Sequence, residues 1–103
     1  MEEQKKVVEE LKKKHDEVYT LTVNDKNGES LTVYLKGLDR VTYKSSSALI
    51  QKDEMLGVES LLKSLWIGGD NVTNITNDFK ALRSAGSTIL PLLEVEAGEL
   101  KKN

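Results

Sequence analysis

Residues 17–37 read EVYTLTVNDKNGESLTVYLKG, and this stretch decides the fold class. Tyr19, Leu21 and Val23 alternate with Val18, Thr20 and Thr22. Leu31, Val33 and Leu35 alternate with Thr32, Tyr34 and Lys36. A period of two in β-branched, aromatic and aliphatic residues marks half-buried strands. Asn27-Gly28 between the runs tolerates positive φ, so they are expected to form one antiparallel hairpin over about 17–24 and 30–36. Two strands alone are marginal in water. Their apolar face must be covered, and helices are the available cover.

On the N-terminal side, residues from about 2 to 15 read as a helix. Val7 or Val8, Leu11, His15 and Val18 recur at three- and four-residue steps. Glu9–Lys13 and Glu10–Lys14 stand at i,i+4 in the favourable order, each pair worth about 0.2–0.5 kcal/mol. The apolar stripe is narrow, so this helix needs a partner to be stable.

On the C-terminal side the period changes after Gly37. Asp39 and Asp53 are candidate N-caps. Met55, Val58, Leu61, Leu62 and Leu65 make one face of an amphipathic helix. Over 40–51 a helix is expected, because Val41, Ser45, Ala48 and Leu49 share a face of mainly small residues. A third strand near 41–44 is the alternative, since Val41 and Tyr43 have strand propensity. Phe79, Leu82, Gly86, Ile89 or Leu90, Leu93, Ala97 and Leu100 continue a helical stripe to the end. Pro91 interrupts it at a cost of about 3 kcal/mol in a helix interior, so a kink or a fresh helix start near Ser87 is expected. The expected class is α+β, in a single domain spanning 1–103.

Between these helices lies SLWIGGDNVTNITNDF, residues 64–79. Gly68-Gly69 follows a helix rather than a strand, and no Gly-Lys-Ser/Thr is present, so a phosphate cradle is not expected. The stronger reading is a helix stop: Gly68 or Gly69 takes the left-handed conformation after the 55–66 helix, and Asn74 or Thr76 caps the next one. A weak cation site over 70–74 lacks the acidic spacing of a calcium loop. The sequons at Asn71 and Asn74 are read as a by-product of a loop rich in capping residues.

Composition narrows the function. The 103 residues are 31% charged with a net charge of −2, so no whole-chain attraction for nucleic acid or an anionic membrane is expected. The chain has no cysteine, which excludes disulfides and thiolate metal sites. No window approaches about 18 apolar residues, and the charged start is not a signal peptide. A cytoplasmic protein is expected. His15 is the sole histidine, too few for a zinc site and without a neighbouring nucleophile. Asp16/Glu17, Asp53/Glu54 and Glu94/Glu96 lack an apolar cleft around them and read as solvated helix-end charges. The run Lys12-Lys13-Lys14 is flanked by Glu9, Glu10, Asp16 and Glu17, which reads as a solvated face. No cofactor and no enzymatic activity are expected. Trp66 is either a core anchor or a binding hot spot.

The order of a Lys/Glu-rich first helix, HDEVYTLTV, a short hairpin, a Ser/Ala-rich helix, LLKSLWIGGD and a helix ending LLEVEAGELKKN resembles a family of small proteins encoded by phages and prophages of gut Bacteroidetes. These in turn resemble tail assembly chaperones of tailed bacteriophages. The resemblance covers nearly the whole chain. Leu65 stands where the family often has Cys, and Leu38-Asp39-Arg40 where it often has Pro. The resemblance implies a non-enzymatic phage assembly protein that binds the tape-measure protein and keeps it soluble. The alternative is a structural virion component, a head–tail or tail accessory protein. An exposed apolar helical stripe suits the first role. The candidate partner-binding residues are Val8 and Leu11 on the first helix, Ile89, Leu93 and Leu100 on the last, and Trp66 nearby. An open hairpin edge also offers a route to a homo-oligomer.

Overall fold

The computed structural model describes residues 2–95, with side chains described over 4–91. The elements are α1 (Glu2–Lys12), β1 (Val18–Asn24), β2 (Ser30–Lys36), α2 (Arg40–Lys52), α3 (Glu54–Leu65), β3 (Trp66–Gly69), the single turn α4 (Thr73–Thr76) and α5 (Phe79–Val95). This is the α+β arrangement: an N-terminal helix, a hairpin, and a mainly helical remainder. The three strands form one antiparallel sheet in the order β1-β2-β3.

The hairpin follows the alternation in the sequence. Tyr19, Leu21 and Val23 stand opposite Leu35, Val33 and Leu31. The turn is built on Asp25, whose carboxylate accepts from the Asn27 and Glu29 amides at 2.8 and 2.9 Å. Gly28 alone takes positive φ there, at +82°, and Asn27 does not.

One face of the sheet carries the core. Leu21, Val23, Val33 and Leu35 pack with Val58, Leu61, Leu62 and Leu65 of α3, Ile75 of α4, and Ala81, Leu82, Ala85 and Ile89 of α5. Fully burying each large aliphatic among them stabilises the fold by about 1.5–3 kcal/mol. The other face carries Thr20, Thr22, Thr32 and Tyr34. Thr22 and Thr32 hydroxyls are 3.1 Å apart. Tyr34 is buried on this face, and Leu11 of α1 approaches the same site over Gly68. α1 is therefore the partner of the sheet's second face. It ends at Lys12, short of His15, and the Lys14 and His15 amides both donate to the Leu11 carbonyl. Lys13 consequently pairs with Glu10 at 3.1 Å, one turn position away from the expected Glu9.

The caps are where the sequence places them. The Asp39 carboxylate accepts from the Thr42 amide at 2.7 Å and starts α2. Asp53 donates its amide to the Leu49 carbonyl and accepts from the Leu56 amide, so one residue closes α2 and opens α3. The two helices cross at Gly57, whose missing Cβ would lie on the Ile50 backbone.

Several expectations are corrected. The helix expected over 40–51 is α2, so the alternative strand near 41–44 does not form, and the third strand is instead Trp66–Gly69. The face of α2 expected to pack is the outer one. Val41 is 79% exposed, and Ser45 and Ala48 are exposed too. Ser46 is the buried residue, with Ile50 against Gly57. Its hydroxyl has no hydrogen-bond partner among the described residues. No fresh helix starts near Ser87; α5 runs unbroken through Pro91. Burial of Ala81, Leu82, Ala85 and Ile89 along one side offsets the bond that Pro91 cannot donate.

β3 is held by geometry only glycine permits. Gly69 has φ +89°, and a Cβ there would meet the Thr32 carbonyl at 2.6 Å and the Val33 Cα at 2.9 Å. Gly28 has a similar φ but open space around it. The two positions separate backbone strain from steric contact. Gly28→Ala is expected to cost about 1 kcal/mol and Gly69→Ala clearly more. Paired denaturant titrations check this; equal losses would show that β3 does not lie so close to β2.

Candidate functional site

Trp66-Ile67-Gly68-Gly69-Asp70 follows α3 without a linker. Leu35 pairs with Trp66, Tyr34 with Gly68 and Val33 with Gly69, so the register slips by one residue between Tyr34 and Leu35. Asp70 then closes the strand. Its amide donates to the Thr32 carbonyl at 2.8 Å, and its carboxylate accepts from the Thr32 amide at 2.8 Å. The Trp66 indole N–H donates to the Asp70 carbonyl at 2.9 Å. The glycines and the aspartate thus end a strand, and Gly69's positive φ serves the sheet rather than a helix stop. One oxygen of the Asp70 carboxylate is occupied by a backbone amide, which suits a structural clamp.

The following loop is also built from local hydrogen bonds. The Asn71 side chain accepts from the Thr73 amide and hydroxyl at 3.0 and 2.9 Å. The cap of α5 is Asp78, in place of the expected Asn74 or Thr76. Its Oδ1 accepts from the Ala81 amide at 3.1 Å and its Oδ2 from the Lys26 amide at 3.0 Å. One carboxylate therefore starts the last helix and pins it to the hairpin turn. The Lys26 and Ala81 amides hold the Asp78 carboxyl below its ordinary range, and the Thr42 amide does the same for Asp39.

An open polar groove of about 520 Å³ lies where α1 meets β1 and β2 meets α2. Lys14, His15 and Lys36 line it together with Asp16, Glu17 and Asp39. Two lysines face three carboxylates there, and the groove is open to water, which leaves its charges solvated. Among the described residues no group of His, Cys, Asp and Glu could hold a metal ion. Asp53 is engaged as a cap. Glu96 lies outside the described residues, as does the side chain of Glu94.

Of the six candidate contact residues, the four with described side chains do not form one exposed patch. Val8 and Leu11 are half-buried on α1, and Val7 beside them is 39% exposed. Trp66 is 38% exposed, two residues before the Gly68 that Leu11 approaches. Ile89 is 2% exposed and belongs to the core, which removes it from the surface of the folded chain. Leu93 is in α5 with its side chain outside the described part, and Leu100 lies outside the described residues. The structure adds exposed Val41, Leu56 and Phe79. Phe79 is 68% exposed. At 100° per residue it stands about 100° away from the mean direction of Ala81, Leu82, Ala85 and Ile89, a signal that spacing alone carried.

No protein-family model matches the chain, and neither does any curated protein or any solved structure.

The two depressed carboxyls set a pH dependence. Each contributes stability that is complete above its unfolded value near 3.8 and is lost as pH falls through the lower folded value. An Asp39→Asn variant keeps the oxygen that accepts from the Thr42 amide but cannot titrate. Its stability is expected to fall less steeply than that of the parent between about pH 4 and pH 2. Urea midpoints across that window check the slope, and identical slopes would refute the assignment.

Proposed function

We propose that this chain is a non-enzymatic phage assembly protein, a tail assembly chaperone that binds the tape-measure protein through apolar helical surface. The observation that carries this reading is the incomplete cover of α1. Its stripe has Leu11 turned to the sheet over Gly68, while Val7 remains open and Val8 half-open. Trp66 adds a large, partly exposed aromatic at the α3–β3 junction. A helical partner with its own apolar stripe would bury these residues together, as in helix-in-groove recognition. Burying an aromatic anchor of this type commonly dominates an interface.

Other features agree with such a role. Asp39, Asp53, Asp70 and Asp78 all accept backbone amides, so four of the carboxylates are engaged structurally. No helix among the described residues is long and apolar enough to cross a membrane. The place of action is the cytoplasm of the bacterial host, where the tape measure is made. No cofactor or nucleic acid takes part.

Co-expression with the phage's tape-measure protein, followed by pull-down, is the test. Retention of a soluble complex is expected. Val7→Asp alters an exposed position and is expected to weaken retention about tenfold or more while leaving the thermal midpoint near the parent value. A tape-measure protein that is fully soluble alone and is not retained would rule the reading out.

A further inference from the structure

The two edges of the sheet are treated differently. β3 is four residues long, contains two glycines, and slips register against β2. A short, bulged, glycine-bearing edge is a poor template for another strand. β1 is seven residues long and pairs with β2 in unbroken register from Val18 to Asn24. It contains no lysine, no proline and no bulge, the devices that normally blunt an edge.

The direction of its free groups follows from the ladder. The Asp25 amide donates to the Glu29 carbonyl, which marks a hydrogen-bonded pair next to the turn. Bonded and non-bonded pairs alternate, so Val23, Leu21 and Tyr19 use their backbone groups on β2. Thr32 agrees, since this even-numbered residue of β2 turns its amide and carbonyl to Asp70 on the β3 side. Val18, Thr20, Thr22 and Asn24 therefore point their N–H and C=O groups away from the sheet. Among the described residues nothing bonds to those of Thr20 and Thr22, and both residues are exposed.

We infer that β1 pairs antiparallel with β1 of a second copy, joining two three-stranded sheets into one. The centre of the strand, Thr20-Leu21-Thr22, is symmetric about Leu21. A two-fold axis at Leu21 sets Thr20 opposite Thr22 of the second copy and Val18 opposite Asn24, all with outward-facing backbone groups. Tyr19 falls opposite Val23, an aromatic–β-branched pair of the favourable kind. The strand is uncharged, so it opposes no like charges on pairing with itself and offers no charge to select a foreign acidic or basic strand. A one-residue shift of the axis would leave one Thr–Thr pair in place of two and shorten the ladder. The edge thus specifies its own copy, and it does so independently of the tape-measure reading and of the surface on α1.

Sedimentation equilibrium of the full chain, from micromolar to millimolar, reads this directly. A monomer–dimer equilibrium is expected. Thr22→Pro removes an outward amide that the β1–β2 ladder does not use, and is expected to weaken dimerisation about tenfold or more with an unchanged far-UV spectrum. If the proline variant fails to fold, Thr20→Lys/Thr22→Lys serves the same purpose by opposing like charges across the axis. Mixing it with Thr20→Glu/Thr22→Glu should restore a heterodimer. A wild-type chain that stays monomeric throughout overturns the inference. So does a dimer that survives these variants, or a mixture that fails to pair.

Discussion

Everything on the core side of this molecule depends on the seating of β3 against β2 at Thr32. Two contacts make that seat. Gly69 brings its backbone so near the Thr32 carbonyl that no side chain fits, and Asp70 exchanges two hydrogen bonds with Thr32. α3 enters β3 without a connecting residue, so the seat also fixes the end of α3 over the sheet. Val58, Leu61, Leu62 and Leu65 are thereby presented to Leu21, Val33 and Leu35. On the other side Asp78 joins α5 to the hairpin turn through Lys26. The short strand and the last helix are thus each secured by one aspartate. Both carboxylates bond to backbone amides, which makes the fixing independent of any partner charge.

The sheet's two faces then differ in how well they are sealed. The core face is covered by α3, α4 and α5 with small residues at close approach, including Gly86 against Val58. The second face buries Tyr34 with help from Leu11, while Thr20 and Thr22 remain exposed. α1 is 11 residues long with a narrow stripe, a length at which an isolated helix is marginal in water. Elements with few buried apolar contacts open at lower free energy than the core does. Such a helix suits exchange of its cover for a partner's surface, which is the physical basis of the chaperone proposal.

Much of this was legible in the sequence, and the failures share a cause. The hairpin was readable because seven residues of period two leave little ambiguity, and Asp39 and Asp53 declared the starts of α2 and α3. β3 was not readable. Trp66 and Ile67 favour a strand, but the two glycines after them do not, four residues are too few to show a period, and pairing with β2 makes them a strand. α2 was recognised as a helix on its wrong face, because small residues look packable whether or not anything packs on them; the crossing at Gly57 and Ile50 chose the face. The same limit applies to the contact residues. Periodicity identified the apolar sides of α1 and α5, but it could not tell that Ile89 is sealed in the core while Val7 is open. The exposed Phe79 belonged to an assumed stripe from which its angular position already set it apart.

The seat of β3 is the claim on which the other arguments stand, and amide hydrogen exchange followed by NMR tests it most directly. The Thr32 and Asp70 amides each donate a 2.8 Å hydrogen bond across that junction. The account predicts that both are protected well beyond an unstructured peptide, and that Asp70→Ala releases Thr32 while Leu21 stays slow. Exchange of both amides at the unstructured rate in the parent protein would contradict it.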